Sequence, residues 1–194
     1  MKKQINAVAA AVLLIIPAVA LAGPSVALGY SDIGLSGHSG RPGVQITAGN
    51  LYSNNVVASG GAEFARGYYG FHAELGKMIS AGGVSFTPYV SMGFLSLNYS
   101  QQPQPFQQSI LTSYALAGVN LNVPIGQNVA LEFGGGYGHT LTTFSGSGGS
   151  VYKGKAEIGF EVAHNVTTNI NVSYLHVPGA SLTNYGAGIS YHFS

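Results

Sequence analysis

The chain has 194 residues, of which 7% are Asp, Glu, Lys or Arg, 29 are glycine and none is cysteine. A charged share so far below the ~25% of soluble domains argues against an ordinary soluble protein, and the near balance of 7 Lys and Arg against 6 Asp and Glu offers no basic surface for nucleic acid. Without cysteine there are no disulfides and no thiolate metal ligands, and no residue pattern calls for a metal or a cofactor.

In chain order, Lys2 and Lys3 precede an apolar run over 7–20 and the small-x-small site Ala20-Leu21-Ala22. This pattern predicts a cleaved export signal over 1–22. The run is short for a helical span of ~20 residues, and Pro17 interrupts it. Residues 23–194 are then a single domain with no linker. From here on the period is two, never 3.6. Strands are predicted at 25–33, 43–51, 55–66, 68–78, 84–99, 109–123, 128–142, 150–163, 167–177 and 182–193. In 56–78 only Arg66-Gly67 suggests a turn; without it ten strands become eight. The segments 80–83, 124–128 and 164–166 are short turns, whereas 34–42, 100–108 and 144–149 are longer loops. That alternation assigns short turns to one rim, long loops to the other, and both termini to the short-turn side.

The two faces of these strands differ. Over 151–163, Tyr152, Ala156, Ile158, Phe160 and Val162 share one parity, while Lys153, Lys155, Glu157 and Glu161 share the other. Val129, Leu131, Phe133 and Tyr137 likewise oppose Ala130, Glu132, Gly134, Gly136 and Gly138. A soluble sandwich turns such an apolar face inward and a membrane barrel turns it outward. The export signal, the confinement of charge to one parity and the aromatics near strand ends (Tyr30, Tyr69, Phe86, Tyr99, Tyr137, Tyr174, Tyr191, Phe193) favour an all-β, antiparallel up-and-down transmembrane β-barrel.

In that barrel the inward titratable set is Glu63, His72, Glu74, Glu132, Lys153, Lys155, Glu157, Glu161 and His192. A barrel this narrow is about filled by its own side chains, so these groups are expected to pair into a network that plugs it, because an unpaired buried charge costs several kcal/mol. The alternative is a narrow polar channel whose acidic excess prefers cations. His38, Arg41 and Arg66 are placed in the outer loops as candidates for contact with lipopolysaccharide phosphate or an external surface, and His139 near a strand end on the outward parity.

The stretches Tyr68-Tyr69-Gly70-Phe71-His72-Ala73-Glu74-Leu75-Gly76, Asn128-Val129-Ala130-Leu131-Glu132-Phe133 and Gly186-Ala187-Gly188-Ile189-Ser190-Tyr191-His192-Phe193 resemble small outer-membrane β-barrel proteins of the opacity-protein and OmpX kind. The likeness spans the whole exported chain. It implies a bacterial outer-membrane location, contact with outer-membrane lipid and lipopolysaccharide, exposed outer loops and no single activity. It also implies that Phe193, followed here by Ser194, is an assembly signal for the barrel-insertion machinery. The stretch Tyr174-Leu175-His176-Val177-Pro178-Gly179-Ala180-Ser181 is distantly similar to the His-x-Ser region of outer-membrane lipid A deacylases. Two residues after His176 stands Pro178, and no carboxylate follows. A serine nucleophile needs a base within reach and an orienting third group, so His176 with Ser181 is an unsupported dyad, the chain is read as non-enzymatic, and lipid A hydrolysis is the least favoured alternative. The expected role is envelope integrity or surface interaction through the outer loops.

Overall fold

The computed structural model describes residues 23–35, 40–99, 108–143 and 148–193; the segment 1–22 predicted as an export signal, His38 and Ser194 lie outside them. The strands are β1 Pro24–Leu35, β2 Arg41–Leu51, β3 Val56–Ala65, β4 Tyr68–Lys77, β5 Ile79–Ala81, β6 Val84–Tyr99, β7 Gln108–Pro124, β8 Val129–Thr143, β9 Ser150–Ala163, β10 Val166–Val177 and β11 Ala180–His192. Each pairs antiparallel with its neighbours, β1 pairs with β11 from Ser25↔His192 to Leu35↔Leu182, and β4 pairs with β6. β5 extends β4 along the lower part of β6, Ile79 facing Phe86, so the two form one stave of a closed ten-strand barrel.

Sequence chemistry accounts for both rims. Tyr52–Asn55 closes one hairpin with Asn55 at φ 64°, Gly82 and Gly83 close another at φ 59° and 88°, and Asn165 turns a third at φ 66°. All three lie on the rim that holds the termini, where the Phe193 N–H donates to the Pro24 carbonyl at 2.8 Å. At the opposite rim Arg66-Gly67 forms a two-residue turn with Gly67 at φ 71°, which decides for ten staves over eight. Pro178-Gly179 does the same between β10 and β11. Left-handed backbone is accessible to Gly and tolerated by Asn, which is why these residues occupy the turns.

The alternation sorts the wall as expected. Leu28, Tyr30, Val90, Met92, Tyr137, Ile170, Tyr185 and Ile189 all exceed half exposure on the outward parity. Rings cluster there in two bands. Towards the long-loop rim, Tyr69 and Phe94 lie 6.1 Å apart and Tyr137 and Tyr152 5.3 Å apart; at the terminal rim Tyr191 and Phe193 pack edge to face at 4.9 Å. A belt of apolar wall between two aromatic girdles is what a bilayer selects.

Candidate functional site

Inside the barrel the character changes with depth. The middle layer holds Glu63, His72, Glu74, Glu132, Lys153, Lys155 and Glu157, all on the inward parity. Lys153 on β9 reaches across to Glu74 on β4 and forms an ion pair with it, both side chains largely buried. One register step nearer the terminal rim, Lys155 pairs with Glu132 on β8 at 2.5 Å. Glu63 accepts hydrogen bonds from Tyr68 at 3.3 Å and from the Asn184 amide of β11 across the lumen, and Glu157 accepts from Asn169 at 2.9 Å. The Lys153 ammonium also stands 5.8 Å from the centre of the Tyr89 ring. His72 faces the lumen over Gly61, where a Cβ would run into its ring. These contacts link seven strands, β3, β4, β6, β8, β9, β10 and β11, through the interior, and each charge has a partner that lowers the cost of burying it.

Three inward tyrosines, Tyr68, Tyr89 and Tyr114, are buried in the same layer. They lie over glycine. A Cβ on Gly93 would collide with the Tyr114 ring, and one on Gly118 with the Tyr89 hydroxyl. Part of the glycine richness on the inward parity is thus room for large neighbours, so the lumen is filled without charge.

Towards the long-loop rim the inward residues turn apolar. Ile33 and Leu35 of β1, Leu95 and Leu97 of β6, Ile110 of β7, Val151 of β9, Val177 of β10 and Leu182 of β11 form one cluster in which Leu95, Leu97, Val151 and Val177 have no accessible surface. This corrects the expectation of a small or polar inward face along the whole barrel. The outer mouth is stoppered by packed aliphatic side chains. Alternation separates the two faces of a strand and says nothing of depth, so Val151 and Leu97 look like lipid-facing residues out of step. The signal was present all the same: apolar residues at inward positions fall within a few places of an outer loop or turn in six strands.

The terminal half is the opposite. Glu161 and His192 are exposed there, His192 contacting Thr167 at 3.3 Å. Asn120, Asn122, Thr167 and Ser85 line it at intermediate exposure. The lumen is therefore a polar cup, open at the terminal rim, floored by ion pairs and tyrosines and lidded by the apolar stopper.

At the outer rim Arg41 is the first residue of β2 and not a loop residue. Its guanidinium donates to the carbonyl oxygens of Arg66 at 3.1 Å and Asn98 at 3.4 Å, lashing the β3–β4 turn to β6. Arg66 is exposed in that turn. His139 lies on the outward wall with Nδ1 3.2 Å from the Thr140 carbonyl oxygen. His176 and Ser181 are cross-strand partners in the β10–β11 hairpin, with Nδ1 and Oγ 2.8 Å apart. Tyr174 donates to the same Oγ at 3.1 Å, and the His176 ring packs on Tyr152 at 5.6 Å. The group faces outward, in the upper aromatic girdle. Among the described residues no three His, Cys, Asp or Glu side chains gather as a metal would require.

No family model and no curated protein sequence matches the chain. Solved structures do. The β-domain of the Bordetella autotransporter BrkA superposes with a TM-score of 0.53 at 10% identity, covering 88% of this chain and 99% of that one. The NanC porin gives 0.51 at 10% identity, over 86% and 98%. The Yersinia pestis outer membrane protein Ail gives 0.47 at 13% identity, over 89% and 100%. With the first two likenesses, the closed register, the outward apolar belt and the inward polar network, the fold is that of the small β-barrels of bacterial outer membranes.

Proposed function

We propose that this is a non-conducting barrel of the outer membrane, working at the cell surface through its outer loops in envelope integrity or surface interaction and carrying no solute through its lumen. One observation carries the reading: the outer mouth is stoppered by aliphatic side chains with no accessible surface. A pore that conducts ions needs a continuous polar path, and here the path ends at Leu95, Leu97, Val151 and Val177. The Lys153–Glu74 ion pair beneath the stopper supports the same reading, since it ties opposite walls together where a channel would leave them apart. The structural likeness to the NanC porin is one of fold and brings no porin activity with it. The cation-preferring channel is the weaker alternative.

The wall meets outer-membrane lipid, and Arg66 at the outer turn is the cationic group best placed for lipopolysaccharide phosphate. Arg41 is engaged in holding the rim. Phe193, its N–H bonded to Pro24 and its ring on Tyr191, sits at the seam where the last strand meets the first, the position from which the insertion machinery would read it. Two experiments test the proposal. In planar bilayers the barrel is silent, and steady single-channel steps that shift when Glu132 is replaced by Gln would overturn it. In cells, shortening the segments between the strands, 36–40 and 100–107, to tight turns leaves insertion intact and removes any binding or envelope phenotype; a phenotype that survives both deletions contradicts the assignment to the loops.

A further inference from the structure

The outward wall of β10 and β11 carries two features of note. At its upper end polar atoms crowd into the girdle: the His176 ring, the Ser181 and Tyr174 hydroxyls, and beside them Tyr152 and the Tyr137–Ser150 hydrogen bond of 3.1 Å. Lower on the same strands the wall is hollowed. Leu28, Tyr30, Val44, Phe160, Ile170 and Ile189 ring a depression of about 630 Å³ whose floor is Ala187. Ala187 stands six positions from Ser181 on β11, and Ile170 six from His176 on β10. Six residues are ~20 Å along a strand, which a tilt of ~40° converts to ~15 Å of depth. That is half of a ~30 Å hydrocarbon layer, so the polar group lies at the headgroup boundary and the hollow at the midplane.

We propose that this wall holds one acylated lipid of the outer leaflet, lipopolysaccharide, with ester and hydroxyl oxygens at the His176–Tyr174–Tyr152 end and an acyl chain running down β10–β11 into the hollow over Ala187. The amphiphile is argued from the pairing itself, since a hydrogen-bonding head and an apolar hollow one leaflet apart match the two ends of a lipid and no soluble ligand. The choice of lipopolysaccharide follows from the rim: the polar group borders the leaflet on the long-loop side. The inference rests on the outer-membrane reading, which an unheated-against-boiled gel of the wild type tests separately.

The barrel is refolded into vesicles of phosphatidylethanolamine with lipopolysaccharide, moved to mild detergent and weighed by native mass spectrometry. A population retaining one lipopolysaccharide is expected. Ala187→Phe, which fills the hollow, and His176→Ala, which removes the head contact, each lower its abundance about tenfold, near 1.4 kcal/mol of affinity. Ala73→Phe, the same enlargement on the outward face of β4, leaves it unchanged. His176→Ala and Tyr174→Phe keep the test decisive where the Ala187→Phe barrel fails to form. No retained lipid, equal retention in all variants, or phosphatidylethanolamine retained in proportion to its share of the vesicle would each overturn the proposal.

Discussion

The two halves of the lumen are built from the same strands and obey the same alternation, yet one is dry and the other wet. In the outer half, inward positions are Ile, Leu and Val with no accessible surface. In the terminal half they are Asn, Thr, Ser, Glu and His at intermediate or full exposure. The difference shows how a narrow barrel separates two tasks along one axis. Apolar packing seals the face that meets the exterior, and charge pairing in the middle ties the staves together at Lys153–Glu74 and Lys155–Glu132. The terminal cup carries less structural burden, because Glu161 and His192 are exposed there and surface substitutions cost little.

That contrast predicts a steep gradient of mutational cost. The largest effect belongs to Leu97→Glu, which places an unpaired carboxylate in the stopper. It should cost more than about 4 kcal/mol, read as loss of the compact band in an unheated detergent gel. A compact band persisting to the wild-type temperature would mean that the stopper admits water. Next comes Lys153→Met, which strands Glu74 in the lumen at a cost of about 3–5 kcal/mol in urea unfolding. Replacing both partners, Glu74→Met with Lys153→Met, should restore most of that stability, because matched apolar groups fill the space without a buried charge. If the double variant is as unstable as the single, the pair matters through something other than charge compensation. Leu95→Ala leaves a cavity and should cost about 2–5 kcal/mol. The smallest effect is that of Glu161→Gln in the open cup, within about 0.5 kcal/mol; a larger loss would show that the cup is not solvated as its exposure implies.

Much of this was legible before any coordinates. Charge restricted to one parity in 151–163 gave both the wall direction and the lumenal set, and the ten strand positions follow from turn residues and alternation. Arg66-Gly67 alone carried the choice between eight and ten, and its weight came from a glycine able to take φ 71°. What escaped was information that strand periodicity does not hold. The stopper is a matter of depth: parity puts Val151 on the face of Lys153 and Lys155 and Val162 on the opposite face, but does not say that the inward face turns apolar near the long-loop rim. The Tyr89 and Tyr114 pairings with Gly118 and Gly93 join residues of neighbouring strands and need the register as well. Arg41 was read as a loop cation because strand β2 begins two residues earlier than its alternation suggests. His176 and Ser181 could be named together from the sequence, but not their place as partners across a hairpin. With β11 begun at 182, Ser181 falls in a loop; with Pro178-Gly179 as the two-residue turn, it faces His176 across the hairpin.

The most direct test of the closed outer mouth exploits the absence of cysteine from the chain. A single Asn122→Cys variant puts one thiol in the terminal cup, beside Glu132 and below the stopper. A bulky, membrane-impermeant maleimide should label it in outer-membrane fragments that expose the inner rim and leave it unlabelled in intact cells. Equal labelling from outside intact cells would mean that the lumen is open through the stopper, and the non-conducting barrel would give way to a channel.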